Sequence, residues 1–133
     1  MEILWKRLDK FFDNLDAKMT ASKYFELCEQ MNIEPKEDEI PPEFSDFPDI
    51  VQISINIYNM LGDRVQPDIG FLGKDYTNLK LIFEFNGIEE DRDKELSFEV
   101  LAWLDKRNIK RSSDQLKRER DKIKNKSANK SKK

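Results

Sequence analysis

The chain contains no histidine. That removes the side chain most used for proton transfer near pH 7 and rules out any Cys–His or Ser–His nucleophile pair. The one cysteine, Cys28, excludes an intramolecular disulfide framework and fits a reducing compartment as a buried structural thiol. No apolar run approaches the roughly 20 residues that span a bilayer, and the first residues lack the apolar stretch of a secretion signal. Glycine is scarce, with four in the chain, and three of these (Gly62, Gly70 and Gly73) fall in one segment. Their spacing matches neither a phosphate-binding loop nor a dinucleotide fingerprint. The acid-rich run 89–95 fails as a calcium loop, because no glycine stands sixth from Asp91 and Ala102 occupies the twelfth place, where a bidentate glutamate is needed. The expectation is a non-enzymatic protein without a cofactor or metal.

What the chain has in abundance is charge, unevenly placed. Residues 106–133 hold thirteen Lys/Arg and three acids, a net of +10, while residues 1–105 hold eleven basic and twenty-four acidic side chains, a net of −13. Such a division bears on partners and solubility rather than on fold.

Apolar residues supply the fold signals. Leu4, Leu8, Phe11 and Leu15, with Trp5 and Phe12 beside them, follow helical spacing over residues 2–18. Thr20 is a candidate N-cap for a second helix carrying Tyr24, Phe25, Leu27, Cys28 and Met31, with Asn32 near its end. Residues 33–49 hold four of the five prolines and seven acids, which predicts an extended acidic connector pinned by Ile40, Phe44 and Phe47. Residues 50–61 read as a buried helix between Pro48 and Gly62. A second short helix is expected through about Asn86, capped by Asp75 or Thr77 and stopped by Gly87. Both segments also alternate apolar and polar residues, so a hairpin of two strands at these positions is the competing architecture. A further helix starts in the charged run 89–95 and buries Leu96, Val100, Leu101, Trp103 and Leu104.

The intervening segment 62–76 (GDRVQPDIGFLGKDY) reads as an ordered loop, held by an Asp63/Arg64 pairing and by Phe71 packed inward, with Lys74 and Asp75 as further candidate residues. A metal site from Asp63, Asp68 and Asp75 is the weaker alternative, suggested by composition alone. Beyond Lys106 the apolar residues thin to Ile109, Leu116 and Ile123, one per heptad, too few for a coiled-coil seam. Ser112, Ser113 and Asp114 are candidates to cap a last exposed helix, and residues 125–133 are expected to be disordered. Lys106, Arg107, Lys110, Arg111, Lys117, Arg118, Arg120 and Lys122, followed by Lys124 and Lys126, are the candidate contacts to phosphate groups or to a protein partner.

The predicted fold class is mostly α: a single small helical domain of about five helices with a long ordered central loop and a basic, partly disordered C-terminal tail. It divides into an acidic helical domain at 1–105 and a basic tail at 106–133.

Four stretches, MTASKYFELCEQMNIEP, IPPEFSDFPDIVQ, NMLGDRVQPDIGFLGKDYTNL and LAWLDKRNIKRSSDQLKRERDKIK, resemble a family of small uncharacterised tailed-bacteriophage proteins. The resemblance runs from about residue 19 to residue 126, and its most specific part is LGDRV-x-PDIG-x-LGKDYTNL. In size and character (small, acidic, helix-rich) the chain is similar to tail assembly chaperones. The resemblance implies a phage-encoded protein of the host cytoplasm, or one associated with the virion, whose partners are phage structural or assembly proteins rather than a membrane. The function expected is that of a virion assembly or accessory factor acting by protein–protein interaction. The alternative is a nucleic-acid-associated protein that binds phosphates through its basic tail.

Overall fold

The structure is a computed structural model that describes residues 2–131. The fold is mostly helical, with five α-helices and one two-stranded sheet among the described residues: α1 (Glu2–Asp16), α2 (Ala21–Gln30), α3 (Asp49–Met60), β1 (Asp63–Gln66), β2 (Gly70–Lys74), α4 (Leu79–Phe85) and α5 (Asp91–Ser131). Its contacts form two compact units that divide at Pro48/Asp49. The change from acidic to basic composition at 105/106 therefore falls inside α5 rather than at a break in the fold.

The first unit holds α1, α2 and the proline-rich connector. Leu8 is buried on the amphipathic face of α1, whereas Leu15 near its end is exposed. Thr20 caps α2, its Oγ1 accepting from Lys23 N at 3.2 Å. The connector contains two single 3-10 turns, Glu37–Glu39 and Phe44–Asp46. It is pinned to α1 by aromatic contacts, with Phe47 buried edge-on against Phe11 at 5.5 Å and Phe44 at 6.4 Å. The expected apolar face of α2 is only half right. Cys28 is buried and Tyr24 half-buried, but Phe25, Leu27 and Met31 are exposed.

Helices α1, α2 and α4 end in the same way. Their first residues beyond the cap, Lys18, Asn32 and Gly87, take left-handed φ of 56°, 57° and 71°. In each, the next amide reaches back to the third-last carbonyl of the helix: Met19 to Asn14, Ile33 to Cys28 and Ile88 to Phe83. Only at Gly87 is the residue one that adopts this backbone without a steric cost.

In the second unit, α5 packs against α3 and β2. Ser97, Val100, Leu101 and Leu104 are buried on α5, and Val51, Ser54, Ile55 and Tyr58 on α3, each set at i, i+3, i+4, i+7. Each fully buried aliphatic side chain contributes roughly 1.5–3 kcal/mol. The two buried serines satisfy one another: Ser54 Oγ lies 2.6 Å from Ile50 O and 2.8 Å from Ser97 Oγ. The segments expected as helices at 50–61 and 79–86 form α3 (Asp49–Met60) and α4 (Leu79–Phe85), and the strand alternative at those positions is not adopted.

The segment expected to be an ordered loop is instead a β-hairpin. β1 and β2 pair antiparallel, with Asp63 opposite Lys74 and Gln66 opposite Gly70, and a bulge between Arg64 and Val65. Pro67 presets the turn, which Ile69 N closes on Gln66 O at 3.1 Å. Gly62 follows α3 without a left-handed backbone, and its carbonyl accepts from Asp75 N, so it opens the hairpin rather than capping the helix. Neither Asp75 nor Thr77 caps α4: Asp75 Oδ1 accepts from Thr77 N and Oγ1 in a local turn, and Asn78 holds the N-cap position.

Helix α5 does not restart at Ser112–Asp114. It runs 41 residues, about 62 Å at 1.5 Å per residue, because no glycine or proline follows Gly87 to stop it. The helix continues to Ser131, through most of the stretch expected to be disordered. Residues 132 and 133 of that stretch lie outside the described residues.

Candidate functional site

The hairpin is held on α5 by one face of the helix. Leu101, Asp105, Asn108, Ser112 and Leu116 recur at intervals of three and four, so at about 100° per residue they form one stripe. Asp105 is its centre. Oδ1 accepts from Tyr58 Oη at 3.0 Å and from Lys74 N at 3.1 Å, and Oδ2 accepts from Tyr76 Oη. One turn on, Asn108 Nδ2 donates to Tyr58 Oη at 3.1 Å. One turn further, Ser112 Oγ accepts from Phe71 N at 3.0 Å. Beyond that, Arg120 Nη2 donates to Asp68 O at the hairpin tip, at 2.7 Å.

Both close-approach glycines face this stripe. A Cβ on Gly70 would stand 2.6 Å from Ser112 Oγ and 2.8 Å from Leu116 Cδ1, and one on Gly73 would stand 3.2 Å from Asp105 Oδ2. Their φ values, 93° and 113°, also belong to glycine. The glycines that match no phosphate-binding pattern are there so that backbone can lie against a helix.

Lys74 closes the inner edge. Its side chain is 11% exposed, with Nζ 2.6 Å from Asp63 Oδ1, 3.2 Å from Leu61 O and 4.7 Å from the Tyr58 ring centroid. Asp63 therefore pairs with Lys74 and not with Arg64. Neighbouring residues of a strand point to opposite faces, while Asp63 and Lys74 sit opposite each other in the register. Arg64 acts instead on Asp75, whose carboxyl is held below the usual range chiefly by the two hydrogen bonds from Thr77. Phe71, expected to pack inward, is half-buried.

Burial first, and then the Asp105 carboxylate, push the phenols of Tyr58 and Tyr76 up from their ordinary values. At Tyr58 the hydrogen bond from Asn108 opposes that shift. Both phenols are therefore held protonated, as donors, and the three-donor arrangement around Asp105 acts as a clasp. Among the described residues no group of three Asp, Glu or Cys side chains is placed to hold a metal ion, and Asp63, Asp68 and Asp75 are not brought together as one.

The basic residues lie on the same helix, turned elsewhere. At about 100° per residue, Lys106, Lys110, Lys117 and Lys124 fall within about 40° of one another, and Arg107, Arg111, Arg118 and Lys122 form a second strip beside them. Asp114 and Asp121 interrupt the boundary between the strips. The side chains of 117–128 are all exposed. The cations from Lys117 on are thus presented to solvent along the helix, although Arg120 is partly committed to the hairpin tip. Two clefts flank the clasp, a polar one of about 610 Å³ lined by α3, the hairpin and α5, and one of about 640 Å³ lined by Tyr76 and by α5 residues including Phe98 and Ile109. No helix among the described residues is long and apolar enough to cross a membrane.

Sequence reasoning missed Tyr58, Tyr76, Asp105, Asn108 and Ser112. The signal was present: the apolar spacing that ends at Leu104 continues as a polar stripe at the same interval before returning to apolar at Leu116. No protein family, curated protein or solved structure matches the chain.

Proposed function

We propose that the protein is a non-enzymatic nucleic-acid-associated factor whose working surface is the basic side of α5. The observation that carries this reading is the form of the basic segment. It is a helix that continues to Ser131, with exposed side chains from 117 to 128 and with Lys106, Lys110, Lys117 and Lys124 aligned along one side. Aligned cations on a rod neutralise successive phosphates and release their counterions, so binding depends steeply on salt and little on sequence. The test is fluorescence anisotropy of a labelled oligonucleotide titrated with the full chain. Replacing Lys110, Lys117, Lys122 and Lys124 by Gln is expected to reduce the slope of log K against log salt by about 3. An unchanged slope overturns the reading.

A second reading is favoured by a separate observation. Phe25, Leu27, Met31 and Ile33 are all exposed on and just after α2, apolar side chains that a protein partner would cover. This suits a virion assembly or accessory factor of the kind the phage resemblance implies, working in the host cytoplasm through phage structural or assembly proteins. Capture of tagged protein from infected-cell lysate, with and without nuclease, separates the two. Nuclease-resistant recovery of virion polypeptides supports the second reading, and recovery that vanishes with nuclease supports the first.

A further inference from the structure

The polar cleft beside the clasp shares residues with the basic strip. Arg111 and Arg118, two members of the strip Arg107, Arg111, Arg118 and Lys122, both line it. The rest of the lining carries different chemistry: the amides of Asn59, Asn108 and Gln115, the half-buried ring of Phe71, and the carboxylates of Asp114 and of Asp63, the latter paired with Lys74. A carboxamide offers a donor and an acceptor side by side, the pattern presented by the edge of a nucleobase, and an aromatic ring offers a stacking face. Asn108 spends one amide hydrogen on Tyr58 Oη, which fixes its orientation, whereas Asn59 and Gln115 are exposed. At about 610 Å³ the cleft falls in the size range of small-ligand sites.

Given the nucleic-acid reading of α5, we infer that this cleft takes one unpaired base of a single strand whose phosphates follow Arg111 and Arg118. A duplex supplies the same phosphates to the rod, but its bases are paired and stacked and reach the cleft only after the cost of flipping out. The ligand class is therefore single-stranded nucleic acid, held by charge along α5 and by base contacts in the cleft.

The experiment compares the full chain binding three labelled oligonucleotides of one sequence, each about fifteen nucleotides long: a DNA strand, an RNA strand and the DNA duplex. The variant pair Asn59→Ala with Gln115→Ala changes only exposed side chains, and Phe71→Leu removes the ring while keeping apolar bulk. Wild type is expected to bind at least one single strand about tenfold more tightly than the duplex, and either variant to remove most of that preference while duplex affinity stays unchanged. Preference for the DNA or for the RNA strand identifies the source of the base. Equal affinity for strand and duplex, or a strand preference that survives both variants, overturns the cleft assignment and leaves the reading of α5 standing. No binding to any of the three overturns both. Circular dichroism on each variant excludes unfolding as the cause of a loss.

Discussion

The two halves of α5 differ in what they are bonded to. From Asp91 to Leu116 the helix spends its side chains on the rest of the second unit: Ser97, Val100, Leu101 and Leu104 against the core, Asn108 against Tyr58 of α3, and Asp105, Ser112 and Leu116 against the hairpin. From Lys117 onward, Arg120 at the hairpin tip makes the one tertiary hydrogen bond described. The first half has polar residues where the packing needs a hydrogen-bond partner, and the second is exposed and rich in cations, Lys117 and Lys124 in one strip and Arg118 and Lys122 in the next. A single secondary-structure element can thus be a core helix and a charged surface, and the boundary is set by where the partner ends rather than by where the helix does.

The largest effect is expected from removing the clasp. Asp105→Ala leaves Tyr58 Oη, Tyr76 Oη and Lys74 N without their common acceptor, a loss of about 3 kcal/mol in urea unfolding. Amide exchange at Phe71 and Lys74 should accelerate with it. Next is Gly70→Ala, which combines a left-handed backbone with a Cβ pressed against Ser112 and Leu116, and is expected to cost about 2 kcal/mol by the same measurement.

The pH dependence follows from the two tyrosines. Their folded-state pKa values are raised above those of the unfolded chain, so the unfolded state gives up these protons first as pH rises. The stabilisation they contribute is fully present below about pH 10, the ordinary tyrosine value, and is lost above it. Thermal melts between about pH 8 and pH 11 should be flat and then fall, and Tyr76→Phe should reduce the fall. The smallest effect on stability sharpens the contrast: Lys117→Gln with Lys124→Gln should change unfolding free energy by less than about 0.5 kcal/mol, while weakening oligonucleotide binding.

Deleting 106–133 to test the tail would blur this comparison. The cut removes Asn108, Ser112 and Leu116 along with the cations, so lost binding would not be separable from a loosened hairpin.

The helices were legible because their signals are local. Thr20 caps α2 through its own hydroxyl, Gly87 ends α4 through its own backbone, and Asp91 and Asp93 fall in the first turn of α5, as the charged run suggested. Residues 50–61 alternate as a strand would, yet their length and the helical spacing of Ile50, Ile53, Ile57 and Met60/Leu61 between Pro48 and Gly62 pointed to a helix. The helix forms, but the face it buries is Val51, Ser54, Ile55 and Tyr58 with Ile57, and Met60 is exposed. The hairpin was not legible by alternation, since its strands have four and five residues and every residue of β1 is exposed. Pro67–Asp68 followed by Gly70 was the available turn signal. The clasp was hidden for another reason. Asp105 looks like one more acid in a charged sequence, and Ser112–Asp114 looks like a helix cap, until the hairpin that uses Asp105 and Ser112 as acceptors is in place. The basic residues were visible from the start, and what the fold adds is their alignment along one side of a continuous helix.

Chemical-shift mapping of the isotopically labelled full chain with a short single strand tests the division of α5 most directly. The account predicts that the perturbed signals concentrate in residues 106–126, with the side-chain amides of Asn59 and Gln115 among them, while α1 and α2 stay still. Perturbations centred on Phe25 to Ile33, or none at all at low salt, would contradict it.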